Sequence, residues 1–105
     1  MQYRRFGKTN LHLSVFSLGT MRYLASFVNA KQVIREAVAL GINHIETASG
    51  YGKSEEYLGK AIKAGLSVSR EELYITSKIP PTVDADTMRR CIDKSLKNLQ
   101  LDYLD

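Results

Sequence analysis

A chain of 105 residues, 44% hydrophobic and 25% charged, has the composition of one globular domain at most. At that size about two-thirds of the unfolded chain's surface can be buried, enough for a small core but not for an enclosed catalytic barrel. Fifteen Lys and Arg against eleven Asp and Glu leave a net charge of +4, but the basic residues are scattered, the closest groups being the pairs Arg4/Arg5 and Arg89/Arg90, which argues against a nucleic-acid partner.

The lone cysteine, Cys91, excludes an intramolecular disulfide framework and a clustered Cys/His metal site. It falls among apolar neighbours at helical spacing and is expected in the core. No apolar run approaches the roughly 18 residues of a membrane span, and the N-terminus lacks the apolar stretch of a signal peptide. A cytoplasmic protein with no membrane partner is expected.

Tyr3 to Phe6 and Leu11 to Ser14 flank the polar turn Gly7-Lys8-Thr9-Asn10 and read as a β-hairpin over residues 1–14. Val15-Phe16-Ser17-Leu18 is a short strand ended by Gly19-Thr20, followed by a loop through Phe27 and Val28. Asn29 is expected to cap a helix with Val33, Ile34, Ala37, Val38 and Leu40 on its apolar face and Gly41 at its close. Ile42 to Thr47 is a strand and Gly50-Tyr51-Gly52 a loop. Ser54 then caps a second helix, with Glu55 and Glu56 in its first turn, Leu58, Ala61 and Ile62 facing inward, and Gly65 at its end. Glu55/Glu56 and Lys60/Lys63 read as a solvated face.

Leu73 to Lys78 is a strand stopped by Pro80-Pro81, which cannot donate to a ladder. The next helix carries Met88, Cys91, Ile92, Ser95, Leu96 and Leu99 in one stripe of a 3.6-residue period. Leu101 to Asp105 starts a further strand.

Strand starts near residues 15, 42, 73 and 103 are separated by 27, 31 and 30 residues, the interval of a βα unit repeated in order. Alternating units imply a parallel sheet with helical crossovers. Eight of them would make a TIM barrel of roughly 250 residues. The expected fold is thus α/β, an incomplete (β/α)8 TIM barrel: a hairpin at 1–14, then βα units one to three and the start of strand four at 15–105. A doubly wound sheet is the alternative, but it favours a Gly-rich turn after the first strand, and Gly19-Thr20-Met21 has one glycine.

In such barrels the chemistry sits at the C-terminal ends of the strands. The two-residue strand period puts His44 and Glu46 on one face, and Tyr74, Thr76 and Lys78 on one face of the next strand, while Ile45, Leu73 and Ile75 face the other way. Glu46 and Lys78 then share the barrel mouth and are expected to pair. A tyrosine beside that ammonium has its phenolate stabilised and becomes a usable general acid; Tyr51, between Gly50 and Gly52, can be aimed there. His44 reads as a packed histidine rather than a catalyst.

The stretch Ile42-Asn43-His44-Ile45-Glu46-Thr47-Ala48-Ser49-Gly50-Tyr51-Gly52-Lys53-Ser54-Glu55, with Leu58-Gly59 following, resembles the aldo-keto reductase signature around that family's catalytic aspartate and tyrosine. The hairpin with Leu18-Gly19-Thr20-Met21, then Ile75-Thr76-Ser77-Lys78, and Ser95-Leu96 through Leu101-Asp102-Tyr103-Leu104-Asp105 are similar to the same family in the same order. The resemblance implies an N-terminal portion of an NADP-dependent oxidoreductase that reduces a small-molecule carbonyl to an alcohol by hydride transfer. It implies Tyr51 as proton donor, Lys78 as the cation beside it and Glu46 as the lysine's partner, with Gly19, Thr20, Met21 and Glu46 near the nicotinamide end of NADP(H). Position 46 is Glu where most of the family has Asp. The family's catalytic histidine and most cofactor contacts fall beyond Asp105.

Two other functions compete with this reading. A non-catalytic nucleotide-binding or regulatory barrel would share the fold, and a Schiff-base aldolase would use Lys78, although a paired Glu46 keeps that amine protonated. Substrate identity is not encoded in these residues. The 105-residue chain alone is expected to be inactive and to self-associate through open sheet edges.

Overall fold

The computed structural model describes residues 1–22, 26–82 and 84–105. Two strands, β1 (Tyr3–Arg5) and β2 (His12–Ser14), pair antiparallel in the register Tyr3↔Ser14. A three-stranded parallel sheet follows in the order β3-β4-β5, built from Leu18–Gly19, His44–Glu46 and Tyr74–Thr76. Helix α1 (Phe27–Ala39) crosses from β3 to β4, α2 (Ser54–Lys63) crosses from β4 to β5, and α3 (Ala85–Leu99) follows β5. The expected order of βα units is the observed order.

The strand period determines which face of the sheet is covered. Ile45 and Ile75 are partners in the β4–β5 register and are fully buried, packed with Ile34, Val38, Leu58, Ala61, Leu73 and Leu99 from the helices and strand ends. Burying an isoleucine side chain contributes about 1.5–3 kcal/mol, so the apolar side of each strand turns to the helices. His44, Glu46, Tyr74 and Thr76 then take the opposite, inner face.

The hairpin attaches near the N-terminal end of β4 mainly through Asn43, to which the sequence assigned no such role. Asn43 Oδ1 accepts from Ser14 N at 2.8 Å, and Asn43 Nδ2 donates to His12 O at 2.9 Å. The Tyr3 hydroxyl donates to Gly41 O at 2.9 Å, and Gly41 sits at φ +92°, where a side chain would be strained. Gly41 ends α1 as expected.

Several local expectations are corrected. Helix α1 starts two residues before Asn29: Ser26 is its cap, its hydroxyl accepting from Asn29 N at 3.2 Å, so Phe27 and Val28 are helical. Phe27 packs at 5.7 Å from the Tyr57 ring, a contact that favours the longer helix. Residues 23–25 of the loop expected before that helix lie outside the described residues. Val15, Phe16 and Ser17 are exposed, and only Leu18–Gly19 form the strand. Ser54 is the first helical residue of α2 and its hydroxyl points away from the helix's own amides. Cys91 is half-buried and lines a cleft of about 450 Å³ with Ser49, Lys78 and Lys94. Of its expected stripe, Ser95 and Leu99 are buried, while Met88 and Ile92 are exposed.

Residues 101–105 run beside β5 without forming a ladder. Asp105 N donates to Ile75 O at 3.1 Å, while the Asp105 carboxylate accepts both from Ile75 N at 2.9 Å and from Arg70 at 2.8 Å. The Arg70 guanidinium also stacks 4.0 Å from the Tyr103 ring centre.

Helices α2 and α3 approach closely at one glycine. A β-carbon on Gly59 would lie 2.6 Å from the carbonyl carbon of Leu99 and 2.8 Å from Asn98 O. Ala at a helical glycine normally gains about 1 kcal/mol, but here the obstacle is backbone and cannot rotate away. Gly59→Ala is therefore expected to destabilise by about 1–3 kcal/mol, read as a lower urea midpoint; an unchanged or higher midpoint would show that α3 can back away without cost.

Candidate active site

The inner face of the sheet is polar in two layers. In the lower layer Ser17 Oγ lies 2.7 Å from His44 Nδ1, and His44 Nε2 lies 3.1 Å from Thr76 Oγ1, linking residues of the β3, β4 and β5 segments. Burial lowers the His44 pKa from its ordinary value, and the charges of Glu46 and Asp105 oppose that shift. His44 is thus satisfied by two hydroxyls, as a packed histidine should be.

In the upper layer Gly19 and Glu46 are register partners, and Glu46 is the partner of Thr76. Two residues beyond Thr76 the chain places Lys78, whose Nζ donates to Glu46 Oε1 and, at 3.1 Å, to Thr47 O. The extra methylene of Glu46 relative to an aspartate does not prevent the ion pair. Its side chains are 43% and 36% exposed, so water screens it and it contributes little to stability. Its effect is on protonation: the hydrogen bond to Glu46 raises the Lys78 pKa from its ordinary value, burial opposes this, and Tyr51 adds to the rise.

Tyr51 is brought to the same place by the loop after β4. Its N–H donates to Ala48 O at 3.1 Å and its carbonyl accepts from Ser54 N at 3.0 Å. Gly52 takes φ +56°, a left-handed turn that lets the chain enter α2. The Lys78 ammonium then lies 4.8 Å from the Tyr51 ring centre. Glu46, Tyr51 and Lys78 therefore converge at the C-terminal ends of the strands.

The residues at the end of β3 divide. Gly19 has open space around its α-carbon, and Met21, half exposed, lines a cleft of about 380 Å³ with Thr20, Tyr51 and Tyr57. The Thr20 side chain is buried and committed elsewhere: its hydroxyl donates to Glu46 O at 2.9 Å and accepts from Ser54 Oγ at 2.5 Å. With one proton per hydroxyl, Thr47 must donate to Ser54 at 2.8 Å, which gives a buried chain Thr47→Ser54→Thr20→Glu46 C=O.

The solvated-face reading of Glu55 is corrected. Glu55 is 2% exposed, its two carboxyl oxygens accepting from Ser77 Oγ at 2.7 Å and Asn98 Nδ2 at 3.1 Å. The sequence carried a signal for this, since Glu55 stands three residues before the inward-facing Leu58 and so shares its helix face. Glu56, Lys60 and Lys63 are exposed, as expected.

The pattern of the aldo/keto reductase family matches residues 16–105. The chain belongs to the aldo-keto reductase family. It is 40% identical over 105 residues to the 7-acetyl-epi-neemfruitin B aldo-keto reductase of Melia azedarach, covering 94% of this chain and 32% of that protein. It is 44% identical over 88 residues to the methylglyoxal reductase DkgA of Salmonella typhimurium, covering 84% of this chain and 31% of that one. Among solved structures, the holo form of the aldo-keto reductase AKR11C1 from Bacillus halodurans superposes with a TM-score of 0.86 at 26% identity, over 100% of this chain and 38% of that one. The chain thus spans about a third of the length of these curated relatives. Its sheet and helices are those of an incomplete aldo-keto reductase (β/α)8 barrel. Among the described residues, no helix is long and apolar enough to cross a membrane.

Because Glu46 is the largest cause of the raised Lys78 pKa, Glu46→Gln is expected to lower it. The sign is that of a base gaining a partner: the ion pair's contribution is fully present below the ordinary lysine value of 10.5 and is lost as pH rises through the folded value. Titration of the Lys78 Cε resonance by NMR checks this, and an identical midpoint in the variant would remove Glu46 as the cause.

Proposed function

We propose that the whole protein is an NADP-dependent carbonyl reductase of the cytoplasm in which residues 1–105 contribute the N-terminal part of the barrel domain and the proton-donating side of the active site. The observation that carries this is the convergence of Tyr51, Lys78 and Glu46 at the strand ends. Tyr51 donates its hydroxyl proton to the substrate oxygen as negative charge develops there. Lys78 offsets the charge left on the tyrosine oxygen, and Glu46 keeps Lys78 protonated and aimed.

The residues present fit the nicotinamide end of the cofactor. Gly19 offers bare backbone on the inner face beside Glu46, Met21 offers an exposed thioether in the Tyr51 cleft, and Thr20 can contribute only backbone because its hydroxyl is bonded to Glu46 O. When bound, the cofactor supplies the hydride. The substrate class is a small-molecule carbonyl compound, in keeping with names such as methylglyoxal reductase and D-galacturonate reductase among the relatives. The raised Lys78 pKa weighs against the Schiff-base reading, which needs a neutral amine.

In the whole protein, Tyr51→Phe is expected to lower the turnover of carbonyl reduction by on the order of 10²–10⁴, the usual contribution of a general acid, while NADPH binding stays close to normal. NADPH absorbance and fluorescence titration measure the two separately; equal turnover in variant and parent would take Tyr51 out of this role.

The 105-residue chain alone is expected to self-associate and to show no turnover. Within the described sheet β3 pairs only with β4, so one edge is open, and Val15 and Phe16 next to it are exposed. Light scattering and NADPH titration decide: a monodisperse 11.8 kDa species that binds NADPH at micromolar concentration would overturn this.

A further inference from the structure

The first turn of α2 touches the ends of all three parallel strands. Ser54 reaches Thr20 after β3 and Thr47 after β4, and Glu55 reaches Ser77 after β5. Ser77 immediately precedes Lys78, whose carbonyl accepts from Ser49 N at 2.9 Å. Glu55 takes no part in the ion pairs among the described residues, and its two oxygens are occupied by neutral donors from β5's extension and from α3. A carboxyl group so buried is held in one geometry, because leaving either oxygen without a donor is costly.

The geometry points to Glu55 as a positioning residue that sets the aim of Lys78 through Ser77, an inference that rests on the proposed reductase function. The α2 N-terminus is packed onto the core by Leu58 and Ala61, so it is a rigid reference point. Lys78 stands two residues past the last strand residue, where its backbone is held by the single bond from Ser49 N to its carbonyl. The Glu55–Ser77 bond adds a second restraint one residue before Lys78, tying this segment to α2 as well as to the loop after β4. The ammonium is thereby kept over Tyr51 and against Glu46. Asn98 serves a different purpose on the same carboxyl group: it ties Glu55 to α3 and not to the lysine.

That asymmetry separates positioning from mere stability. Ser77→Ala and Asn98→Ala each remove one hydrogen bond from Glu55, so both should lower the thermal midpoint by similar amounts. Only Ser77→Ala loosens Lys78. In the whole protein Ser77→Ala is expected to lower kcat by on the order of tenfold or more with little change in KM, and to lower the Lys78 pKa toward its ordinary value. Asn98→Ala should leave kcat and that titration near the parent's. Glu55→Gln should behave as the parent, because the amide can keep the Asn98 bond and donate to a reoriented Ser77 hydroxyl; Glu55→Ala should behave as Ser77→Ala. The NMR titration of Lys78 needs no turnover, so a parent protein that reduces no carbonyl would defeat the proposed function while still deciding this point. Matching titrations and matching kcat in Ser77→Ala and Asn98→Ala would overturn the positioning role.

Discussion

Ile45 and Ile75, register partners with no exposed surface, set the orientation of everything else in the sheet. A strand of three residues has little choice: once its middle side chain is buried under helices, its two neighbours must face the other way. His44 and Glu46 are carried to the inner face by Ile45, and Tyr74 and Thr76 by Ile75. The polar face of the barrel is thus fixed by apolar packing on the opposite side, and a one-residue slip would bury Glu46 among leucines.

On that inner face the polar groups satisfy one another in tiers. Ser17, His44 and Thr76 close the lower tier with hydroxyl–imidazole bonds. Above them Glu46 and Lys78 pair in a partly hydrated setting, where the attraction is modest but enough to hold the lysine charged. Glu46 stands at the last rung of the ladder and Lys78 two residues past it, so this tier gains from support outside the sheet. The first turn of α2 gives it: Ser54 bonds two strand ends and Glu55 the third, while Gly59, four residues on from Glu55, lets α3 come close enough for Asn98 to reach the same carboxyl group. A small residue, a buried acid and a helix terminus act together on three strands.

Much of this was legible in the order of residues. The 27-to-31-residue interval between strands, the apolar alternation around Ile45 and Ile75, and the i, i+3, i+4 pattern of the helices are local properties, and β4, β5 and the three helices form where those patterns stand, whereas Val15–Ser17 and residues 101–105 form no strand. The joint facing of Glu46 and Lys78 follows from the same alternation. What local pattern misjudged were positions decided by a distant partner. Phe27 is helical where its ring meets Tyr57, and Cys91 lines a cleft that α3 forms with the loops after β4 and β5.

The sequence by itself determined the βα order, the inner faces of β4 and β5 and the joint facing of Glu46 and Lys78, because these depend on periods of 2 and 3.6 and on the residue types that occupy them. The tertiary structure alone decided that the Glu55 carboxyl group is shared between Ser77 and Asn98, that the Thr20 hydroxyl is spent on Glu46 O, and that Asn43 ties the hairpin to the sheet. These outcomes depend on hydrogen-bond partners 22 to 43 residues away in the chain. Helix spacing can place a polar side chain on a buried face, but it does not say which distant residue will be its partner, and only the packing of helices against strands makes that choice.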